Sequence, residues 1–208
     1  MFNFYALLFG SRYWKLHSFV IRLLLRMHGV KVGKGFYTEG VPKLKLRGKP
    51  ANVIFGDNVS VLGDIDLRNR ENGRIVFHDR VTIERDCRFV SARDGTIEVG
   101  EGAIVTAFAI INGGDNITIG KQVIIGPRAS INANDHLFAR DKPVREQGFM
   151  HAPVIIEEGA WLAANVVVNK GVRIARGTVV ASHSVITKDT EEFGIYAGVP
   201  ARKIADRE

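Results

Sequence analysis

The fold is decided by the stretch VIIEEGAWLAANVVVNKGVRIARGTVVASHSVITKD, which runs from Val154 to Asp189. An aliphatic residue recurs at every sixth position along it: Ile156, Leu162, Val168, Ile174, Val180 and Ile186. Two places before each of these lies a second small or apolar residue: Val154, Ala160, Val166, Val172, Thr178 and Ser184. Turn-forming residues separate the pairs, so the pattern predicts a short strand and a corner in every six residues.

This period is typical of a parallel β-helix, in which three short sides close a triangular coil and each coil buries the edge of the next. Earlier coils follow the pattern less regularly: Phe55/Val61/Leu67, Phe77/Ile83/Phe89 and Val99/Val105. Gaps of ten residues at 67–77 and 89–99, and of fourteen at 105–119, predict extra residues at the corners. Dense glycine and β-branched residues disfavour an α-helical fold. We therefore predict an all-β parallel β-helix.

The composition of the chain limits the kinds of protein that it can be. Its 208 residues, 46% hydrophobic and 25% charged, suit one sizeable globular domain. The single cysteine, Cys87, excludes an internal disulfide framework and suits a reducing compartment. It occupies an inward position of the repeat, so we expect a buried, inert thiol. The chain has neither an apolar run of membrane-spanning length nor a clear signal peptide, and we expect it to stay in the cytoplasm.

The positive charge of the chain is confined to its N-terminal quarter. The net charge is +7, and residues 1–50 contain ten Lys/Arg against one acid, Glu39. Residues 51–208 contain nineteen basic against twenty-one acidic residues. No base-reading motif accompanies the charge, so we expect no nucleic-acid partner.

The segment Asn3–Met27 is predicted to be a basic amphipathic helix, with Gly29 as its stop. One side contains polar and basic residues: Ser11, Arg12, Lys15, Ser18, Arg22 and Arg26. The other side is mainly apolar: Tyr13, Leu16, Val20, Leu23, Leu24 and Met27. Residues 1–28 then have two alternative roles. They lie on an anionic membrane surface, or they pack on the body of the protein or on a neighbouring subunit.

The stretch from Val154 to Asp189, followed by YAGVPARKI, resembles the hexapeptide-repeat acyltransferases. The resemblance is to the branch of galactoside, maltose and surface-polysaccharide O-acetyltransferases. It is specific across 117–204 and looser across 51–116. It implies a left-handed coil, a homotrimer, and acetyl-CoA bound in the cleft between subunits.

The predicted domain organisation has three parts. A basic helical or extended segment covers 1–50, and the left-handed β-helix covers 51–190. A loop over 132–153 is inserted into the β-helix, and 191–208 form a C-terminal tail.

The chemistry is predicted where the repeat breaks. Between Ile131 and Ile156 lies the insertion NANDHLFARDKPVREQGFMHAP, and a long loop in a compact repeat domain is usually functional. His136 ends a regular coil there and suits a general base that takes the proton of a sugar hydroxyl. The resemblance places the catalytic histidine of the family at this position. In the same loop, Asn134, Asp135 and Arg145 are candidate acceptor-binding residues, and Asn134 or Asp135 is a candidate to orient the ring.

The donor-site residues follow mainly from the resemblance. Ala164 and Ser182 are eighteen positions apart, so they lie on successive coils of the same face. The resemblance implies that acetyl-CoA is contacted by the following residues: Trp161, Ala164, Ser182, Thr187, Lys188 and Arg202. Cations are needed for the phosphates of coenzyme A. Two alternatives remain open, since Trp161 would also suit a shielded subunit contact and Lys188 a solvated turn.

The chain also departs from the family. The galactoside-type members have an asparagine-rich strand that contacts the acceptor, whereas the corresponding stretch here is IVTAFAIINGG. Neither Thr106 nor Asn112 is a clean replacement, which makes a simple galactoside or maltose acceptor doubtful. No His-x4-His pair of the kind used by zinc enzymes of this fold is present, and we expect no metal.

The function predicted from the sequence is acetyl-CoA-dependent O-acetylation of a sugar hydroxyl in a glycan or lipid-linked saccharide, in surface-polysaccharide biosynthesis at the inner face of the membrane. N-acetylation of an amino sugar or sugar nucleotide is the alternative reaction. The alternative of another class is a non-catalytic trimeric β-helix that serves as an interaction module.

Overall fold

The computed structural model describes residues 4–208, which form helices at the N-terminus and short strands elsewhere. The helices are α1 (Phe4–Phe9) and α2 (Ser11–Met27), with single 3-10 turns at Pro50–Asn52 and Val144–Glu146. The first strands are β1 (Lys31–Val32), β2 (Tyr37–Thr38), β3 (Pro42–Leu44), β4 (Val53–Phe55), β5 (Ser60–Leu62), β6 (Ile65–Asn69), β7 (Arg74–Phe77), β8 (Thr82–Glu84), β9 (Arg88–Ser91), β10 (Thr96–Val99), β11 (Ile104–Val105) and β12 (Ile110–Gly113). The remaining strands are β13 (Ile117–Ile119), β14 (Ile124–Ile125), β15 (Ser130–Asn132), β16 (Asn134–His136), β17 (Phe149–His151), β18 (Val154–Ile156), β19 (Trp161–Leu162), β20 (Val167–Val168), β21 (Arg173–Ile174), β22 (Val179–Val180), β23 (Val185–Ile186), β24 (Gly194–Gly198) and β25 (Ala201–Asp206).

The strands stack into three sheets, and successive strands along the chain pass from one sheet to the next. Sheet A has the order β1-β4-β7-β10-β13-β18-β21. Sheet B has the order β2-β5-β8-β11-β14-β19-β22-β24-β25, and sheet C has the order β3-β6-β9-β12-β15-β20-β23. Pairing within each sheet is parallel except between β24 and β25. The predicted parallel β-helix is therefore confirmed.

The core is the column of inward side chains inside the coils. The repeat residues of the deciding stretch are all buried, none of them more than 3% exposed: Val154, Ile156, Ala160, Leu162, Val166, Val168, Val172, Ile174, Thr178, Val180, Ser184 and Ile186. In the earlier coils Phe55 stacks on Phe77 with the ring centroids 5.0 Å apart, and Phe89 meets Phe77 edge to face at 4.9 Å. Each fully buried side chain of this size contributes about 1.5–3 kcal/mol.

The gap of fourteen residues predicted between Val105 and Ile119 is wrong in detail. Ile111 lies six residues after Val105, is fully buried, and pairs with Ile131 of the next coil. The repeat therefore continues through β12, and the extra residues are confined to the corner before β13.

The β-helix begins earlier than the predicted boundary at residue 51. Lys31 and Val32 of β1 already pair with Ile54 and Phe55 of β4. Val32, Thr38 and Leu44 keep the spacing of six residues, so the first coil follows the repeat although it was assigned to the N-terminal segment.

The N-terminal helical segment is divided in two, because Gly10 has a φ of 53° and interrupts the predicted helix. The described part begins at residue 4, so Asn3 of that prediction lies outside the described residues. The predicted stop is present: Gly29 has a φ of 83°, and its amide donates to the Arg26 carbonyl at 2.9 Å.

Helix α2 packs across the open end of the first coil, against β1 and β2. Ser18, Ile21 and Leu25 are buried there. The Ser18 hydroxyl accepts a hydrogen bond from the Thr38 amide at 2.8 Å. The polar side of the predicted amphipathic helix therefore faces partly inward, toward backbone groups that the first coil leaves unpaired.

The opposite side of α2 is apolar and uncovered in the single chain. Its large side chains are between 44% and 73% exposed: Leu16, Phe19, Val20, Leu23, Leu24 and Met27. Continuous apolar surface of this kind marks an interaction site. Within residues 4–208, neither α1 nor α2 has the length and apolarity that a bilayer-crossing helix requires.

The C-terminal end of the coil is closed by the segment predicted as a tail. β24 continues sheet B in parallel with β22, and β25 folds back along β24. The Lys203 ammonium contacts the carboxylates of Glu191 and Asp206, each at 2.7 Å, and these contacts raise the pKa of Lys203. The antiparallel strand covers an edge that would otherwise be free to pair with another chain.

The thiol of Cys87 points inward, as the repeat predicts, and is fully buried. It lies 3.1 Å from the Thr106 carbonyl oxygen. Burial raises the pKa of this thiol to about 12, which makes it unreactive.

Candidate functional site

The insertion over 132–153 forms a β-hairpin that leaves sheet C at the end of β15. Strands β16 and β17 pair antiparallel, with Asn134 opposite His151 and His136 opposite Phe149. The Ala152 amide donates to the Ala133 carbonyl at 3.1 Å, which closes the hairpin against the coil. His136 therefore lies at the outer end of a ladder whose base is held by the β-helix.

The tip of the hairpin is held by one side chain. The Gln147 amide nitrogen donates to the Ala139 carbonyl at 2.9 Å and to the Lys142 carbonyl at 2.6 Å. Its oxygen accepts from the Ala139 amide at 2.7 Å. These bonds satisfy backbone groups inside an otherwise irregular loop and keep it closed above His136.

The His136 ring is exposed and packs on the ring of Phe149, with the centroids 4.2 Å apart. Neither predicted orienting residue is hydrogen-bonded to the ring. The Asp135 carboxylate pairs with the Lys170 ammonium at 3.0 Å, and the Asn134 amide oxygen accepts from Asn112 at 3.2 Å. Successive residues of a strand point to opposite sides, which separates Asp135 from the His136 ring. The ring is therefore positioned by the Phe149 side chain.

A cavity of about 590 Å³ lies in front of His136 on the outer surface of sheet C. Its lining residues are Arg68, Arg70, Arg88, Val90, Ile110, Asn112, Asn132, Asn134, Asp135, His136 and Phe149. Only three of these were candidates from the sequence: Asn134, Asp135 and His136. Apart from Arg70, just after β6, and Phe149 on the hairpin, the others lie at outward positions of strands that the strand register brings into adjacent columns.

Asn112, which the sequence did not identify as a clean replacement for the family's asparagine-rich strand, lines the cavity. On β12, Asn112 is in register with Asn132 of β15, and its side chain also donates to Asn134. Three side-chain amides thus line one side of the cavity. Amides that both donate and accept hydrogen bonds suit the hydroxyl groups of a sugar.

The base of the hairpin depends on a glycine. A Cβ at Gly114 would lie 2.6 Å from the His151 Nδ1 and 3.0 Å from the Asn134 amide nitrogen. Only a residue without a side chain allows this approach, which sets the height of the hairpin above the coil. His151 is thus a packing residue, in agreement with its place just before the coil resumes.

Two of the predicted donor-site cations lie together at the C-terminal end of the coil. Lys188 and Arg202 are both exposed and line a cavity of about 260 Å³, which also contains Tyr196 and Lys203. The Lys203 charge is compensated by Glu191 and Asp206. Lys188 and Arg202 lie 14 residues apart in the chain and meet because β25 folds back along the edge of sheet B.

The predicted small residues are stacked as expected. The His183 amide donates to the Ala164 carbonyl at 2.9 Å, so the corner of Ser182 lies directly above that of Ala164. Trp161 is 48% exposed on β19, and Thr187 is exposed just after β23. Ala164 and Ser182 thus lie at the corner between sheets B and C, whereas Lys188 and Arg202 line a cavity beyond the end of β23.

Arg145 lies apart from these groups. It is exposed in the 3-10 turn Val144–Glu146 and is not among the residues that line the cavity of His136. The cavity of His136 and the cavity of Lys188 and Arg202 are also lined by different residues.

These features define a class of protein: a β-helix of hexapeptide coils, with a histidine held on an inserted hairpin above a polar cavity. The family described as "Bacterial transferase hexapeptide (six repeats)" matches residues 153–188. Over these residues the chain is similar to the hexapeptide-repeat transferases.

Comparison with known proteins identifies relatives of the same kind. Galactoside O-acetyltransferase of Escherichia coli K12 is 26% identical over 85% of this chain and 87% of its own length. A Mycobacterium tuberculosis protein named "Probable acetyltransferase" is 28% identical over 75% of this chain, which spans half of that relative. The crystal structure of the polySia-specific acetyltransferase NeuO superposes with a TM-score of 0.61 at 22% identity, covering 85% of each chain. The last likeness concerns the fold.

Proposed function

We propose that the protein is an acetyl-CoA-dependent O-acetyltransferase that modifies a sugar hydroxyl of a glycan or lipid-linked saccharide. The observation that supports this most is the position of His136, held on a rigid hairpin beside a cavity of about 590 Å³ lined by side-chain amides. A structural hairpin would require neither an exposed imidazole nor a polar cavity beneath it.

In the proposed reaction, His136 is the general base. The imidazole takes the proton of the acceptor hydroxyl as its oxygen attacks the thioester carbonyl carbon. The tetrahedral intermediate then expels the thiolate of coenzyme A, which receives the proton from the imidazolium, and the acetyl ester remains on the sugar. A positioned base of this kind contributes roughly 10²–10⁴-fold to the rate.

The donor is proposed to lie along the corner formed by Ala164 and Ser182, with its phosphates at Lys188 and Arg202. The Lys188 ammonium and the Arg202 guanidinium belong to residues that line one cavity. Phosphate oxygens are strong hydrogen-bond acceptors for such donors. Small side chains at the corner leave room for the pantetheine chain. Thr187 adds a hydroxyl beside Lys188, and Trp161 gives a flat surface on β19.

A homotrimer is part of this proposal. Within one chain the cavity of His136 and the cavity of Lys188 and Arg202 have no lining residue in common. A donor that bridges them is most simply accommodated if the base of one subunit faces the donor corner of its neighbour. Sedimentation of the purified protein should give a trimer, and an active monomer would contradict this part.

We further propose that the exposed face of α2 rests on the anionic inner surface of the cell membrane. This face has six uncovered apolar side chains, and the same helix also contains basic residues, including Arg12 and Lys15. An amphipathic helix of this composition binds the interface without crossing it. Such contact would suit acceptors assembled at the membrane, as in surface-polysaccharide biosynthesis.

The function is tested by following thiol release from acetyl-CoA in the presence of sugars, sugar nucleotides and oligosaccharides. O-transfer predicts acetyl ester in the product, which mild base removes, whereas N-transfer gives a base-stable amide. If no acceptor stimulates thiol release above the hydrolytic background, the protein is a non-catalytic module and the proposal fails.

A further inference from the structure

The N-terminal side of the His136 cavity is basic, and the acetyl transfer does not require this charge. Arg68 on β6, Arg88 on β9 and Arg70 just after β6 all line the cavity, and we name these three residues the arginine cluster. They come from two adjacent coils of sheet C, the sheet from which the hairpin of His136 also leaves. Sequence reasoning missed them because they are separated by loops from every motif of the family.

The positive charge of the arginine cluster is only partly compensated. The Asp66 carboxylate accepts from the Arg68 Nε at 3.0 Å and lies 3.4 Å from the Arg88 Nε. One carboxylate thus serves two guanidinium groups, and Lys45 approaches it as well, at 3.8 Å. The described residues place no carboxylate within 4.0 Å of the Arg70 guanidinium.

Asp135 is the acidic residue that lines the cavity, and it does not compensate the arginine cluster either. Asp135 lies on the hairpin and is already paired with Lys170. The hydrogen bonds from Arg68 lower the pKa of Asp66, which therefore remains ionised and accounts for a single charge. At neutral pH the arginine cluster presents two positive charges that no described side chain neutralises.

The strand register separates this charge from the reacting end of the cavity. Arg68 is opposite Val90, Val90 is opposite Asn112, and Asn112 is opposite Asn132. Adjacent strands are about 4.8 Å apart, so the Arg68 backbone lies roughly 14 Å from that of Asn132. A group bound at the arginine cluster is thus remote from the hydroxyl that His136 would deprotonate.

We propose that the acceptor carries an oxyanion, a carboxylate or a phosphate, which the arginine cluster binds. The inference rests on the proposed function, since His136 and the amides hold the hydroxyl-bearing sugar at the other end. A guanidinium forms paired hydrogen bonds with either oxyanion, and a neutral glycan would leave these groups without a partner. Val90 and Ile110 form the apolar floor between the two ends, which suits the face of a sugar ring.

The experiment measures binding by calorimetry without acetyl-CoA, so that it does not depend on catalysis. Three probes are compared: a hyaluronan tetrasaccharide with carboxylates, UDP-N-acetylglucosamine with a pyrophosphate, and neutral chitotetraose. The variants are Arg70→Ala, Arg88→Ala and the charge-retaining Arg70→Lys. The matched control is Arg74→Ala, which removes an exposed arginine from β7 on sheet A. Thermal unfolding verifies that each variant is folded.

The expected result is that at least one anionic probe binds more tightly than chitotetraose. Arg70→Ala and Arg88→Ala should each weaken that binding roughly tenfold to a hundredfold, the loss of one charged hydrogen-bonding partner, and Arg70→Lys should weaken it less. The probe with the larger loss distinguishes the carboxylate from the phosphate. Equal binding of all three probes, or the same loss in Arg74→Ala, would overturn the inference.

Turnover separates this inference from the proposed function. If anion binding depends on the arginine cluster but no probe stimulates thiol release from acetyl-CoA, the oxyanion site stands and the transferase proposal is in doubt. If chitotetraose is acetylated as efficiently as the anionic probes and Arg70→Ala leaves every rate unchanged, the transferase proposal stands and the oxyanion site is refuted.

Discussion

The Asp135 carboxylate pairs with the Lys170 ammonium at 3.0 Å, across the space between the hairpin and the next coil. Asp135 precedes His136 in the chain, yet its charge is directed to a lysine 35 residues away. The pair braces the hairpin, and among residues 4–208 the imidazole packs on the Phe149 ring. This arrangement differs from a base oriented by a neighbouring carboxylate.

Asp135→Asn is therefore expected to have a small effect on catalysis. A partly exposed ion pair contributes up to about 1 kcal/mol, so the loss in kcat should be at most about fivefold. A loss as large as that of the His136→Ala variant would mean that Asp135 orients the ring after all. Lys170→Ala should reproduce the small effect.

His136→Ala is expected to lower kcat by roughly 10²–10⁴-fold while the KM for acetyl-CoA changes little. The matched control is His78→Ala. His78 contacts Glu98 at a corner of sheet A, so this substitution should leave kcat unchanged. Stopped assays measure this, and a His136→Ala enzyme with full activity would remove the proposed base.

Lys188→Ala and Arg202→Ala are expected to raise the KM for acetyl-CoA and to leave the KM for the acceptor unchanged. Loss of one charged hydrogen bond corresponds to roughly a tenfold to hundredfold change. If the 3′-phosphate is the partner, the rise in KM should be smaller when the acetyl group is carried by dephospho-coenzyme A. An equal rise in KM with both donors would mean that these cations do not bind the 3′-phosphate. Arg173→Ala is the control, because that guanidinium is engaged by Glu157 at 2.7 Å.

Phe19→Ser combined with Leu23→Ser is expected to abolish binding to phosphatidylserine-containing vesicles while turnover of a water-soluble acceptor is retained. Both side chains are at least half exposed, so their replacement removes apolar area without opening the core. Flotation with vesicles at low and high salt measures the binding. Val199→Ser, which removes an equally exposed apolar residue at the opposite end of the coil, should bind normally. Failure of the unaltered protein to float would leave α2 as a packing element only.

Asp66→Asn is expected to lower stability at neutral pH and to have little effect in acid. Because hydrogen bonds from Arg68 lower the pKa of Asp66 below its ordinary 3.8, this carboxylate stabilises the fold above that value. The contribution is lost as the pH falls through the lowered pKa. The difference in Tm between wild type and variant should therefore be full at pH 7 and shrink below about pH 3.8. Asp141→Asn, in the exposed hairpin loop, should show no such difference, and a gap that persisted in acid would contradict the assignment.

Much of the fold and part of the site were predictable from the sequence. The six-residue spacing identified every inward residue from Val154 to Ile186, because a coil with three short sides repeats its inward position at that interval. The same pattern made the insertion over 132–153 visible as an interruption, and it pointed to His136. The pattern was weaker in the first coil, where Thr38 replaces an aliphatic residue, and after Ile111, where extra residues occupy the corner.

What the sequence by itself determined was which side chains point inward and where the repeat is broken, since both follow from local alternation along the strand. The tertiary structure alone decided which outward side chains meet. Arg68, Arg88, Asn112 and Asn132 belong to four different coils, and only the register between parallel strands aligns them beside the hairpin. That register is set by the residues inserted at each corner, so it depends on the whole stack of coils and has no local signature.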